Sequence, residues 1–335
     1  MTFETAKKII DYELGGEEYE GITIDFFGGE PFIEFDLMRQ ICEYTWSRKW
    51  NKDYRFFVST NGTLLNNDVK DWASSNAERF WLGLSYDGTP EMNNINRSNS
   101  SDQIDLDFFV NNWPLQGVKM TVSKETLPHL AEGVIFLHNR GFRVNCNLAY
   151  GPDWSSEEWD NVLQEQLMKL IDYYLENPNI PRCSMLNSEL IFVSPNSHMK
   201  YTKWCGAGTN MRVYSPDGIC YPCHFFEPLA VGEKMAKESL KIDFSQAAQL
   251  KDPDCEGCCL LPICPTCYGS NFASTGDVSK KDKNLCRLTK IMALANSYLQ
   301  YRLLSEKSDE ELGITQSQRK LLTDAIVVIQ NTFAT

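Results

Sequence analysis

The sequence predicts an α/β protein in two chemically distinct parts: βα units around a parallel sheet or barrel, then a cysteine-rich region that binds metal. Three observations predict it. Short β-rich runs alternate with amphipathic helix-length segments as far as about residue 150. Nine of the twelve cysteines fall between Cys205 and Cys286, so the chain divides chemically near residue 200. Two long helical patterns then close the chain.

In order, helical periodicity over 3–14 precedes ITIDFF (22–27), and a helix over 34–50 leads to YRFFVST (54–60). A helix over 67–76 leads to FWLGLSY (80–86), one over 106–113 to VKMTVS (118–123), and one over 127–140 to FRVNCNLAY (142–150). This spacing gives five parallel strands, and the chain opens on a helix. Their short apolar runs suit strands covered on both faces. Residues 1–150 form this unit. Residues 151–200 hold a long amphipathic helix (157–175) and the proline-bearing connection ENPNIPRC, a bridge between domains. The segment 201–290 is turn-rich, with helical periodicity only over 230–240 and 244–250. A helix beginning near Cys286 and another over 316–333 make up most of 291–335.

With 335 residues and 42% hydrophobic content, the chain can bury a substantial core. A net charge of −13 without any lysine or arginine run argues against nucleic acid or anionic membrane as a partner. The start, MTFETAKKII, has no signal-peptide pattern, and no stretch approaches the roughly 20 apolar residues of a membrane span. A cytoplasmic protein is expected. In that reducing compartment so many cysteines point to metal or catalysis before disulfides.

The main pattern is Cys255-x2-Cys258-x5-Cys264-x2-Cys267, with Cys286 downstream and Cys205 and Cys223 upstream. A tight CxxC turn aims both sulfurs at one metal, which keeps them deprotonated. A structural zinc ribbon needs only four such ligands. Seven, or eight with Cys220, point to two sites, and iron–sulfur clusters are held by thiolates of this kind.

The stretch from Cys205 to Cys286 resembles the SPASM domain, the two-cluster extension of radical SAM enzymes that mature peptides and proteins. CPTC (264–267) departs from it, with two residues between cysteines where the family usually has three. The resemblance implies two auxiliary 4Fe–4S clusters: Cys255, Cys258, Cys264 and Cys286 at the outer one, and Cys205, Cys223 and Cys267 at three corners of the inner one. Its fourth ligand is Cys183, Cys220 or an open iron. Cys259 reads as a packed thiol, and Cys42 and Cys146 as core residues.

At the end of the first strand stands Phe26-Phe27-Gly28-Gly29-Glu30-Pro31. Two glycines let a ligand approach the backbone and Glu30 can accept from an ammonium group, although an ordinary strand-to-helix turn also reads this way. Beside a SPASM-like region it resembles the GGE motif that binds the amino group of S-adenosylmethionine. Ser59-Thr60-Asn61-Gly62 and Ser85-Tyr86-Asp87-Gly88 resemble the TNG and SxDG segments at the mouth where parallel barrels keep ligands. That resemblance places Ser85 on the methionine moiety, with Asn61 and Asp87 lining the pocket. In maturases that oxidise sulfatases an aspartate after the equivalent of Cys223 takes a proton from substrate; His224 can do the same or simply pack beside the cluster. His224 and Asp87 are thus the catalytic candidates. His129, His138 and His198 read as surface or capping residues.

Radical SAM enzymes carry CxxxCxxC after their first strand, and the 335 residues contain no such motif. First strand and cluster loop are therefore expected to be missing together, as in a truncation. That leaves a partial radical-SAM (β/α)6-type barrel lacking its first strand, followed by a SPASM-like iron–sulfur domain and C-terminal helices. The resemblance implies maturation of a peptide or protein substrate through a 5′-deoxyadenosyl radical, and CPTCYGSN is similar to maturases of cysteine-containing ribosomal peptides, which form thioethers. The chain as given is not expected to cleave S-adenosylmethionine. The rival reading is a non-catalytic electron relay or peptide-binding module that partners a complete maturase or an electron donor.

Overall fold

The computed structural model describes residues 1–197, 205–246, 249–281 and 283–333. It divides into two compact units, Met1–Ala149 with Tyr214–Ile219, and Tyr150–Val213 with Cys220–Thr335. Among the described residues, no helix is long and apolar enough to cross a membrane.

The first unit is built on five parallel strands, β1 (Gly21–Phe26), β2 (Asp53–Thr60), β3 (Phe80–Leu84), β4 (Gly117–Val122) and β5 (Arg143–Leu148). β1, β2 and β3 pair in that order, as do β4 and β5, and a parallel bridge between Ser85 and Lys119 joins the two sets. Helices α1 (Phe3–Gly15), α2 (Phe35–Trp46), α3 (Asn67–Ser75), α4 (Pro90–Asn96), α5 (Leu106–Asn112) and α6 (Leu130–Asn139) fill the connections. Several begin where sequence chemistry says they should. Thr2, Asn66, Thr89 and Asp105 each accept, through the side chain, the backbone N–H three residues on. The buried positions of α1 (Ala6, Ile10, Leu14) recur every four residues, one helical face.

Along β2, β4 and β5 one face of the sheet is buried and the other open or half-buried; only the central β3 is covered on both. Phe56, Val58, Phe80, Leu82, Val118, Met120, Val144 and Cys146 pack in the core, while Thr23, Asp25, Arg55, Lys119, Thr121, Asn145 and Asn147 point the other way and are exposed. This corrects the expectation of strands covered on both faces: runs such as Val118-Lys119-Met120-Thr121-Val122 alternate with period two. Cys42 lies buried on α2, and burial lifts its thiol well above its ordinary value.

The second unit contains α7 (Glu158–Glu176), α8 (Pro228–Ser239), α9 (Tyr268–Thr275), α10 (Cys286–Glu306), the short α11 (Asp309–Leu312) and α12 (Gln316–Phe333). Leu163, Leu167, Leu170 and Ile171 of α7 are fully buried, and α10 packs against both α7 and α12. Arg287 of α10 holds Asp160 at 2.6 Å and caps the backbone before α7 through Ser155 O and Ser156 O. α8 is kinked at Gly232, which adopts φ 79°. Two-residue strands β6 (Val213–Tyr214) and β7 (Cys220–Tyr221) form the remaining sheet.

Several expected elements change. The helix expected over 127–140 starts as a 3-10 turn, Leu127–His129, and the one expected over 34–50 stops at Trp46. None of the described residues of 244–250 is helical. α4, α9 and α11 were not anticipated. His138 is buried, its Nδ1 3.0 Å from Phe142 O, so it is a core residue and not a surface one. His129 is exposed beside Glu132, and His198 lies outside the described residues.

Candidate functional site

In the first unit the chain leaves β1 through Gly28 and Gly29 and enters a 3-10 turn, Pro31–Glu34. Glu30 caps that turn. Its Oε1 accepts from Phe32 N at 3.1 Å and from Thr60 Oγ1 at 2.8 Å, and its Oε2 accepts from Asn61 N at 2.8 Å. The carboxylate thus ties the end of β1 to the end of β2. A carboxylate offers about four acceptor positions, so one on Oε2 is left for an incoming ammonium group. A Cβ built on Gly28 or Gly29 meets nothing within 4 Å, and neither residue has positive φ. The fold itself requires glycine at neither position, whereas close approach of a ligand to the backbone does. These residues therefore fit the amino-acid end of S-adenosylmethionine.

Gly62 is different: with φ 79°, a Cβ there would stand 3.1 Å from Leu84 Cδ1, so this glycine serves the fold. Asn61 Oδ1 accepts from Thr63 N and Thr63 Oγ1, closing the local turn. Ser85 is half-buried, with its N–H on Thr60 O at 2.8 Å. Asp87 is held by the fold. It is 1% exposed, its two oxygens take Arg97 Nε and Nη2 at 2.9 and 3.0 Å, and Oδ1 also takes Thr121 N at 2.7 Å. The fork-to-fork pair with Arg97 fixes the carboxylate, and the bond from Thr121 N ties the turn after β3 to β4.

The exposed sheet face carries a second charged feature. Enclosure by surrounding protein pushes the Asp25 carboxyl up, from 3.8 to about 7, and Lys119 on β4 pulls it back. Three strand spacings of about 4.8 Å separate β1 from β4 along the sheet. By register the two residues lie on the same face of the sheet, three strands apart. Water still reaches Asp25, so this face is wet, not a dry pocket.

In the second unit the backbone collects the thiols into two neighbourhoods. The loop after Cys205 turns through Gly206 (φ 69°) and Gly208 (φ 71°), and Gly208 N donates to Pro222 O at 3.0 Å, next to Cys223. Cys267 caps α9, its sulfur 3.4 Å from Ser270 N. Cys223 starts the 3-10 turn His224–Phe226, which lies against α9. The Cys223 thiol is driven up to about 12, chiefly by burial, with a backbone hydrogen bond from Phe225 opposing and like-charge repulsion from Cys267 and Cys205 adding to the rise.

The second neighbourhood centres on Lys281. Its Nζ donates to Cys264 Sγ at 3.0 Å, and its charge also couples to Cys286 and Cys255. Cys255 in turn is coupled to Cys264 and Cys258. Burial opposes ionisation of Cys264, but Lys281 and the Thr266 hydroxyl outweigh it, so this thiol lies below its ordinary value. Crowded, partly buried thiols resist ionisation until a cation core compensates them. The donor set therefore fits iron–sulfur clusters. Among the described residues, no three Cys, His, Asp or Glu side chains close on a single ion; a polynuclear cluster spreads its ligands more widely than one ion does.

No protein-family model matches the chain. Among curated proteins, the uncharacterized protein MJ0907 of Methanocaldococcus jannaschii is 30% identical over 144 residues, which is 41% of this chain and 49% of that protein. The radical SAM cyclopropyl synthase TigE of Paramaledivibacter caminithermalis is 20% identical over 313 residues, 87% of this chain and 64% of that protein. The chain thus spans about half to two thirds of these relatives. Among solved structures, anSMEcpe with bound AdoMet superposes with TM-score 0.67 at 18% identity, covering 97% of this chain and 90% of that one. The same protein with AdoMet and a Kp18Cys peptide gives 0.66 at 15% identity, covering 90% of each. SuiB of Streptococcus suis, bound to S-adenosylmethionine, gives 0.51 at 14% identity, covering 85% of this chain and 69% of that one. The chain has the radical SAM/SPASM fold.

Within the radical SAM/SPASM fold, the remaining candidates are placed as follows. His224 is half-buried, its ring 4.7 Å from that of Phe225. Cys220 is exposed on β7, and Cys183 is fully buried, with its N–H on Tyr174 Oη at 2.8 Å. Cys259 is half-buried against the core that contains Leu260 and Ile329. Sequence reasoning missed Asp25, Lys119, Asp252 and Lys281. The polar alternation of β1 and β4 was the available signal for the first two. Lys281 and Asp252 gave none beyond proximity to cysteines.

Proposed function

We propose that this protein works in radical SAM/SPASM chemistry as an iron–sulfur protein that matures a peptide or protein in the cytoplasm. Cys255, Cys258, Cys264 and Cys286 would hold one 4Fe–4S cluster, and Cys205, Cys223 and Cys267 three corners of another. Gly28, Gly29, Glu30, Asn61 and Ser85 would receive S-adenosylmethionine, whose reductive cleavage supplies a radical that removes hydrogen from the substrate. The single observation that carries the reading is the gathering of thiols by the loops of the second unit: Cys205 packs on the core that contains Cys223, and Lys281 reaches Cys264 at 3.0 Å. The bound AdoMet and peptides of anSMEcpe support cofactor and substrate class by likeness.

His224 directly follows a cluster-region cysteine and is half-exposed, which suits a group that accepts a proton from substrate near neutral pH. Residues 1–335 contain no CxxxCxxC, so on this reading the three thiolates that cleave S-adenosylmethionine would have to come from elsewhere. A second reading follows from that fact: an electron-relay or peptide-binding module beside a complete maturase. Codons for CxxxCxxC in frame ahead of Met1 support the enzyme, and their absence supports the module.

Iron and sulfide analysis after anoxic purification tests the common ground. Roughly eight irons and matching sulfide per chain are expected for two clusters, with about half lost in Cys258→Ala and none in Cys42→Ala. One or two zincs without sulfide would overturn the assignment.

A further inference from the structure

We propose that Lys281 raises the reduction potential of the outer iron–sulfur cluster by donating a charged hydrogen bond to the Cys264 thiolate. This rests on the reading that Cys255, Cys258, Cys264 and Cys286 hold that cluster. Lys281 Nζ lies 3.0 Å from Cys264 Sγ, within the range for a hydrogen bond to sulfur. The side chain is half-buried, in a chain whose net charge is −13.

The lysine is held in place and not merely nearby. Its backbone N–H donates to Asp252 Oδ2 at 2.8 Å, and Asp252 Oδ1 accepts from Asp254 N at 2.9 Å, capping the turn Pro253–Cys255. One carboxylate, 8% exposed, thus fixes both the turn that carries Cys255 and the backbone that carries Lys281. The neighbouring Lys283 is committed elsewhere, to Asp254.

Reducing a cluster adds one electron and therefore one negative charge to its core. A cation bonded to a ligand sulfur stabilises the reduced form more than the oxidised one, so the potential rises. Lys281 also lines a cleft of about 370 Å³, so a shorter uncharged side chain fits there without repacking.

The test is potentiometric titration of the reconstituted full chain, followed by electron paramagnetic resonance. In Lys281→Met one of the two cluster potentials should move negative while the other stays. Lys281→Arg, which keeps a charged donor, should restore most of the shift, and Lys283→Met should move neither. Resonance Raman bands of the iron–cysteine bonds should shift in Lys281→Met, as loss of a hydrogen bond to sulfur requires. Unmoved potentials with full iron content in Lys281→Met would overturn the proposal and leave the cluster assignment standing. If Lys281→Met assembles less iron, Lys281→Gln decides, a potential equal to wild type counting against the proposal. Wild-type protein without iron or sulfide would instead remove the underlying reading.

Discussion

Gly269 lies beneath Phe225: a Cβ built on the glycine would stand 2.2 Å from Phe225 Cβ and 2.8 Å from Cγ. This close approach seats the turn that follows Cys223 on the helix that follows Cys267, and so brings two thiols of one neighbourhood together. The atoms that would collide are at the root of the Phe225 side chain, and rotation of the ring cannot relieve the clash.

Gly269→Ala should therefore destabilise the second unit by about 1–3 kcal/mol, the usual cost of overpacking. It should also lower iron content by up to half, through the set containing Cys223 and Cys267. Denaturant unfolding and iron analysis check both. An unchanged midpoint with full iron would show that this contact does not position the thiols.

Arg97→Met should cost stability because it strands the Asp87 carboxylate, whose side chain is only 2% exposed. Breaking a buried pair costs roughly 3–5 kcal/mol, and the partial exposure of Arg97 points to the lower end. Urea unfolding measures it. If stability is retained and S-adenosylmethionine binding is lost instead, Asp87 belongs to the pocket.

Much of this was legible in the sequence, for identifiable reasons. Each of β1–β5 lies within two residues of its expected bounds, because β-rich runs and turn residues mark them locally, whereas the two-residue β6 and β7 were too short to signal. α4 was missed although Thr89-Pro90-Glu91 is a good helix start, since Met92 and Ile95 are its only large apolar residues, whereas the equally short α5 carries Leu106, Phe108, Phe109 and Val110. α9 was hidden among cysteines and glycines. At the mouth, sequence alone could name Asp87 but could not see Arg97 folding back over it from ten residues away. Likewise the spacing of the cysteines suggested two sets, whereas the contact of Lys281 with Cys264 emerges only once the loops are folded.

Gly28→Ala and Gly29→Ala separate ligand binding from folding. Nothing lies within 4 Å of either new Cβ and neither residue has positive φ, so neither substitution strains the backbone. Stability should stay level or rise by about 0.4–1 kcal/mol through lower entropy of the unfolded chain. Affinity for S-adenosylmethionine, measured by calorimetry, should fall at least tenfold (about 1.4 kcal/mol). Undiminished affinity in both variants would return this turn to a purely structural role.

Asp25→Asn tests the charged face of the sheet. In the folded protein Asp25 holds its proton up to about pH 7, whereas the unfolded chain releases it near the ordinary 3.8. Between these values the folded state binds more protons than the unfolded one, so stability falls as pH rises through the window. Above it both states are ionised and the penalty is constant; below it both are protonated and the penalty vanishes. The difference in unfolding free energy between Asp25→Asn and wild type should therefore grow from about pH 4 to about pH 7 in favour of the variant, then level off. Because water reaches the carboxylate, the amplitude will fall short of that for a dry site. Lys119→Met should enlarge the difference by removing the charge that opposes the shift. A difference that stays flat across the window would mean that Asp25 titrates as an ordinary surface carboxylate and that the sheet does not enclose it.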